Sequence, residues 1–151
     1  MSYVMSVLPP PQQSAADDPP TSGASKVINL LQVFDGVEQE DNISILGNAF
    51  APSDANGDVG LNHYMQMTNL VTSIFEKSGE LVMGPFPNNV FWTSLGEDSA
   101  CATFNDGDPI VLYDEEEDRW LVSQRADSGT SVFLCVAISK TGDPTGKYHA
   151  H

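Results

Sequence analysis

The amino-acid sequence predicts an all-β protein built from antiparallel strands. Short runs of β-branched, aromatic and other apolar residues follow one another along the chain, and Gly, Pro, Asn or Asp residues separate them. Asn-Gly-Asp at 56–58 and Asp-Gly-Asp at 106–108 each precede such a run, about 50 positions apart. A propeller blade has four strands in about 40–50 residues, so this spacing favours two to three propeller-like blades, as a fragment of a larger propeller. A β-sandwich is the alternative.

The N-terminal region divides into a polar tail and a short apolar block. Residues 1–25 are rich in Pro, Ser, Ala and Asp. We expect a disordered tail there because such a segment buries too little apolar surface to offset its chain entropy. The remaining residues, 26–151, are expected to form the β-propeller-like domain, incomplete at its C-terminal end. In the first apolar block, 27–34, the spacing fits a helix and a strand equally well.

Strands are predicted from the next apolar runs, each delimited by turn residues. The predicted strands cover residues 63–68, 73–75, 80–83, 90–93, 109–113, 119–124, 132–139 and 147–151. Glu76 to Gly79 has the composition of a hairpin turn, with Gly79 available for a left-handed conformation. The run 132–139 is rich in β-branched and apolar residues, which predicts a buried central strand.

The chain is strongly acidic, which limits its partners. Lys and Arg total 6 and Asp and Glu total 21, so the formal net charge is -15 and the pI is about 4.1. Such a surface repels the phosphates of nucleic acids and of anionic lipids. The sequence contains no apolar stretch of the roughly 20 residues that a membrane-spanning helix needs. The partners that stay open are a glycan, a protein, or missing blades that pair with an exposed sheet edge.

The two cysteines, Cys101 and Cys135, lie 34 positions apart. They form no Cys-x-x-Cys motif, so the sequence does not indicate a zinc or thioredoxin-type site. They are either two buried free thiols or one structural disulfide, and a disulfide would indicate an exported protein. Closing such a loop stabilises the fold by roughly 3–4 kcal/mol, because it lowers the entropy of the unfolded chain.

Two acidic loops are candidate calcium sites. Their oxygen-bearing residues are Asp54, Asn56 and Asp58 in the first loop and Asn105, Asp106 and Asp108 in the second. Calcium takes 6–8 oxygen ligands, and loops of this composition supply several. The first loop is not an EF-hand, because Val59 and Met65 stand where that motif has Gly and Glu. The alternative is a pair of Asx-rich turns whose side chains bond nearby backbone groups.

Aromatic side chains are the candidates for ligand contact. Trp92 and Tyr64 are predicted to contact a ligand such as a sugar, although Trp92 also fits the core. The five adjacent acids at 114–118 fit a solvated hairpin tip better than the separated carboxylate pair of a glycosidase. The sequence contains no nucleophile-elbow motif and no phosphate-binding glycine loop. We therefore assign no catalytic residue and favour a non-enzymatic role.

Several motifs between Phe50 and Tyr148 occur in one order. They are Asn56-Gly57-Asp58-Val59-Gly60, Asn62-His63-Tyr64, Asp106-Gly107-Asp108-Pro109, Asp118-Arg119-Trp120, Cys135-Val136-Ala137 and Asp143-Pro144-Thr145-Gly146. Together these segments resemble a group of mostly bacterial, exported proteins of β-propeller type. The resemblance implies a secreted or cell-surface protein with several blades, and it carries over no catalytic residue.

These observations predict a non-enzymatic, exported β-propeller-like module for binding or adhesion, with calcium as a stabilising ion. Its expected location is extracellular or at the cell surface. The alternative is part of a secreted carbohydrate-active enzyme, a glycoside hydrolase or lyase, whose active site other residues complete.

Overall fold

The computed structural model describes residues 32–151, and this part of the chain is mostly β-sheet. Within these residues eight strands form two four-stranded antiparallel sheets, with the strands of each sheet in sequence order. Sheet A contains β1 (Asn56–Val59), β2 (His63–Met67), β3 (Val71–Glu76) and β4 (Leu81–Pro87). Sheet B contains β5 (Ile110–Asp114), β6 (Arg119–Asp127), β7 (Val132–Ser139) and β8 (Tyr148–Ala150). The all-β prediction is confirmed, whereas the predicted tail at 1–25 lies outside the described residues.

Three short helices accompany the sheets in the described chain. They are α1 (Gln39–Leu46), a 3₁₀ helix (Asn88–Leu95) and α2 (Ala100–Thr103). Helix α1 follows Glu38, whose backbone N–H donates to the Asp41 carboxylate at 2.9 Å. It ends at Gly47, which has a φ of 78°. Among residues 32–151 no helix is both long and apolar enough to cross a membrane.

The strand predicted at residues 90–93 is wrong, because these residues belong to the 3₁₀ helix. Pro87 ends strand β4 and precedes the helix. The buried Asn88 side chain accepts a hydrogen bond from the Thr72 hydroxyl at 2.6 Å and donates to the Thr68 carbonyl at 2.9 Å. These bonds fix the start of the 3₁₀ helix to sheet A. The apolar residues that follow, Phe91 and Trp92, therefore reach the core from a helix and not from a strand.

The core lies between the two sheets. We call the sheet faces that meet there the inner faces and the opposite faces the outer faces. The inner faces contribute the buried residues Met65, Met67 and Ile74 from sheet A and Val111, Trp120, Val122, Ala126, Cys135 and Ala137 from sheet B. Phe91 and Trp92 of the 3₁₀ helix and Cys101 of α2 complete this cluster. Together these side chains supply the hydrophobic stabilisation of the fold.

A disulfide joins α2 to sheet B. Cys101 and Cys135 are bonded, with their Cα atoms 5.6 Å apart, and both side chains are buried. This observation decides between the two alternatives that the sequence left open, and the expected disulfide is confirmed. Because the bond closes a loop across the β5–β6 hairpin, it stabilises sheet B against unfolding.

Strand β7 lies between β6 and β8 and is therefore not an edge strand of sheet B. It was predicted to be buried, and this prediction holds only in part. Cys135, Ala137 and Ser139 are buried on the inner face, whereas the side chain of Leu134 on the outer face is 74% exposed. The strand is apolar on both faces, but only one face has a covering layer within residues 32–151.

Candidate functional site

Trp92 and Tyr64, the two aromatic residues predicted to contact a ligand, both pack against other side chains of the protein. Trp92 is fully buried, so it belongs to the core and offers no stacking surface. Tyr64 lies on the outer face of sheet A, half-buried between Phe34 and Phe75 at ring-centroid distances of 5.9 and 6.0 Å. Burial raises the pKa of Tyr64. Tyr64 also lines a pocket of about 570 Å³ together with Phe34 and Lys77, so its predicted contact with a ligand stays a prediction.

The first candidate calcium loop uses its side chains to join the two sheets. The Asn56 side-chain oxygen accepts a hydrogen bond from the Val111 N–H at 2.6 Å. The Asp58 carboxylate accepts one from the Tyr113 N–H at 2.8 Å and another from the Val59 N–H at 2.8 Å. Only the bond from Val59 is local, as the Asx-turn alternative expects. The other two are long-range bonds that bridge β1 and β5.

Asn69 connects the two candidate calcium loops. Its side-chain N–H donates to the Asp54 carboxylate at 2.7 Å, and its side-chain oxygen accepts from the Asp108 N–H at 3.1 Å. Asp54 and Asp108 both have positive φ values, 42° and 50°, and each lies two positions before the first strand of its sheet. The structural equivalent of Asp108 is therefore Asp54, not Asp58 as the sequence spacing indicates.

The remaining members of the second loop also bond to the protein. The Asn105 side chain donates to the Leu70 carbonyl at 2.8 Å, and the Asp106 carboxylate accepts from the Asp127 N–H at 2.7 Å. Among residues 32–151 no three His, Cys, Asp or Glu side chains come together as a metal-binding group. The expected calcium ion stays a prediction, and its test is the midpoint of thermal unfolding in CaCl₂ against that in EDTA.

A further candidate ligand site is a cleft that the sequence did not reveal. It has a volume of about 400 Å³ and lies where strand β4, the 3₁₀ helix and the β7–β8 hairpin meet. We call it the lysine cleft, after Lys140 and Lys147. Its other lining residues are Met83, Phe86, Val90, Phe91, Thr93, Ser94, Pro144, Thr145, Gly146 and Tyr148. This combination of apolar surface with a few polar groups is typical of small-molecule sites.

Aromatic rings form the apolar wall of the lysine cleft. Phe91 lies between Phe86 of sheet A and Tyr148 of sheet B, at ring-centroid distances of 5.6 and 4.8 Å. The Tyr148 hydroxyl donates to the Pro144 carbonyl at 2.9 Å. Burial raises the pKa of Tyr148 far above its usual range, so this hydroxyl keeps its proton at physiological pH. The wall is therefore neutral and rigidly packed.

Hydroxyl-bearing residues and two lysines are among the residues that line the cleft. Thr93 and Ser94 contribute hydroxyls from the 3₁₀ helix, and Thr145 contributes one from the hairpin. Lys140 and Lys147 are both exposed. Neither forms an ion pair with a carboxylate of residues 32–151, where the ion pairs are His63–Glu76 and Arg125–Asp127. Both lysines are therefore cations without an ion-pair partner among these residues, in a protein of net charge -15.

The sequence contains one signal that points to this cleft. Two of its six Lys and Arg residues, Lys140 and Lys147, flank the turn that contains Asp143-Pro144-Thr145-Gly146. Their proximity to the 3₁₀ helix is a long-range contact that no local pattern indicates. Comparisons of the chain with models of protein families, with curated proteins and with solved structures found no match.

Proposed function

We propose that this protein is an exported, non-enzymatic binding module of β-propeller-like architecture, and that its lysine cleft binds a glycan. The observation that carries the proposal is the cleft, whose lining combines hydroxyl-bearing residues with aromatic side chains. Sugars present hydroxyl oxygens and apolar C–H faces, and a cleft with both kinds of partner is suited to them.

Contacts between the sheets support the propeller-like arrangement. The side chains of Asn56 and Asp58, two positions apart on β1, accept bonds from the backbone of Val111 and Tyr113, two positions apart on β5. The two strands therefore run in the same direction, as the innermost strands of neighbouring blades do. Near the outer strands the sheets are separated by Phe91, which contacts both Phe86 and Tyr148. Two sheets in contact at one edge and separated by a helix at the other have the wedge shape of adjacent blades.

The disulfide supports an extracellular location. Structural disulfides persist in oxidising compartments and are rare in the cytosol. In the protein purified from its native host without reductant, mass spectrometry is expected to find Cys101 and Cys135 bonded. Free thiols at both positions would contradict export.

A glycan array with the full chain tests the binding role. We expect binding to a subset of glycans, and we expect Ser94→Trp to weaken it at least about tenfold because the indole fills the cleft from an exposed position. Ser131→Trp, at an exposed position in the β6–β7 turn, is the matched control and should bind as the wild type does. An array without any bound glycan, or equal binding by both variants, would contradict the proposal.

A further inference from the structure

The outer face of sheet B matches the inner face of sheet A, position by position. Counting from the equivalent residues Asp54 and Asp108, Asn56 on β1 matches Ile110 on β5. The Asn56 side chain points toward sheet B, because it accepts a hydrogen bond from the backbone of β5. Ile110 alternates with the buried Val111, so its exposed side chain lies on the outer face of sheet B.

The strand pairings extend this match to the next strands. Through the hairpin registers, Met65 matches Leu121, and their partners Ile74 and Ile138 match in turn. Met65 and Ile74 are fully buried in the core, whereas Ile138 is exposed. Sheet B therefore repeats the packing face of sheet A, and no element of residues 32–151 covers it.

This uncovered face offers apolar contact where sheet A offers hydrogen bonds. Asn56 and Asp58 accept bonds from the backbone of β5. Their matches on sheet B are Ile110 and Leu112, which have no polar side-chain atoms and are both exposed. Leu112 also lines a hollow of about 500 Å³ together with Ile138. A layer that covers this face is therefore held by the burial of apolar surface.

The cations of the protein gather on the same side. Strand alternation places four of the six Lys and Arg residues at outward positions of sheet B: Arg119, Arg125, Lys140 and Lys147. Asp114 and Asp127 are the acids at outward positions of these strands, and Asp127 forms an ion pair with Arg125. This side of the molecule therefore has a positive balance in a protein of net charge -15.

The outer side of sheet A has the opposite charge. Residues 32–37 lie on it, where Phe34 packs against Phe75. Asp35 and Glu38 are exposed in or directly after this segment, and residues 32–87 contain eight acids against one cation, Lys77. Val33 of the segment is 74% exposed, so this side also presents apolar surface. The two outer sides are therefore complementary in charge and alike in apolar exposure.

We propose that the outer face of sheet B binds a second copy of this chain, head to tail, through the outer side of that copy's sheet A and its residues 32–37. Tyr64 on the outer face of sheet A matches Trp120 on the inner face of sheet B. The contact therefore has the order of faces found within the chain, with residues 32–37 as an added layer.

Such a contact joins two different surfaces, so each copy keeps one free face for the next. A closed propeller has about 4–8 blades, and with two sheets per copy a ring closes with about two to four copies. The net charge of -15 opposes association at long range, but at physiological salt the Debye length is only about 8 Å. This inference rests on the proposed propeller-like architecture and is independent of glycan binding.

The test is sedimentation velocity of the full chain in physiological salt at rising concentration. We expect monomers in dilute solution and, at high concentration, rings of about two to four copies or longer open chains. A chain that stays monomeric at every concentration would overturn the inference, including the case in which its own residues 1–31 cover the face.

Substitutions at exposed positions assign the contact to the two faces. Leu134→Glu places an acid on the cationic face of sheet B, and Val33→Arg places a cation on the acidic side of sheet A. Each should weaken self-association at least about tenfold. Leu61→Glu, at a 68% exposed position in the β1–β2 turn, is the matched control and should associate as the wild type does. Equal weakening by Leu61→Glu would indicate nonspecific association and overturn the inference.

A mixture of the two face variants tests the head-to-tail order. Leu134→Glu keeps an intact sheet A side and Val33→Arg keeps an intact sheet B face, so together they should form a complex of one copy of each. If Val33→Arg alone still dimerises and the mixture forms no complex, two sheet B faces bind each other and the proposed order is wrong. Glycan binding by a chain that stays monomeric would overturn this inference alone and leave the proposed function intact.

Discussion

The outer faces of the two sheets differ in how they are covered. On sheet A, Phe34 packs against Phe75 at a ring-centroid distance of 5.4 Å, and the backbone of Val37 donates to the Gln66 side chain at 2.8 Å. The outer face of sheet B instead leaves Leu112 53% and Leu134 74% exposed in the described part of the chain.

The inner faces of the two sheets share one core, so the sheets differ in the further contacts that stabilise them. Sheet A has Phe34 on its outer face, and the Asn42 side chain of α1 accepts a hydrogen bond from the Leu70 N–H of the β2–β3 loop at 3.0 Å. Sheet B is held from its inner face by the disulfide to α2. A contiguous exposed apolar face usually marks an interaction surface. Under the proposed architecture, another blade is the layer that covers it.

The largest expected effect comes from removing the disulfide that joins α2 to sheet B. Replacing Cys101 and Cys135 together by Ala should lower the free energy of unfolding by about 3–4 kcal/mol, because the unfolded chain loses the constraint of its closed loop. Urea unfolding followed by tryptophan fluorescence measures the change, with the oxidised wild type as reference. A loss below about 1 kcal/mol would mean that the core alone determines the stability of sheet B.

The second expected effect contrasts the two outer faces directly. Phe34→Ala removes a covering ring from sheet A and should lower the free energy of unfolding by about 2 kcal/mol. Leu112→Ala removes an exposed side chain from sheet B and should change it by less than about 0.5 kcal/mol. Equal losses in urea unfolding would show that the outer face of sheet B is covered as well.

Local patterns predicted most strands because their signal is local. The alternation in β2 and the β-branched run in β7 are properties of adjacent residues, and turn residues delimit both. The sequence missed α1, whose residues Gln39–Leu46 are mainly polar and whose buried group is the Asn42 side chain. A helix whose buried contact is a hydrogen bond to a distant loop gives no apolar periodicity to detect.

The candidate site was predicted less well than the fold. The acidic residues expected to bind calcium are bonded to backbone groups of distant segments, such as Asp58 to Tyr113. Their residue types fit a calcium site and a structural role alike, and the sequence alone does not reveal the long-range hydrogen bonds that they form. The lysine cleft requires the 3₁₀ helix to meet the β7–β8 hairpin, and the sequence analysis placed a strand at that helix.

The smallest expected effect isolates one contact between Phe34, which packs on the outer face of sheet A, and Gly79 in the β3–β4 turn. Gly79 and Gly129 both adopt positive φ values, 91° and 80°, so a substitution by Ala strains the backbone at either position. A Cβ at Gly79 would also lie 2.7 Å from the Phe34 side chain, whereas at Gly129 it would meet nothing within 4 Å.

Gly129→Ala therefore measures strain alone, at about 1 kcal/mol of unfolding free energy, and Gly79→Ala should cost about 1 kcal/mol more. In a Phe34→Gly background the two glycine substitutions should cost the same, because the ring and the Cβ of residue 34, which would lie 2.7 and 2.8 Å from the added Cβ, are both gone. If the difference persists in that background, the excess cost at Gly79 arises within the hairpin itself. The contact between Phe34 and Gly79 would then contribute less to the stability of sheet A than the comparison of the two outer faces implies.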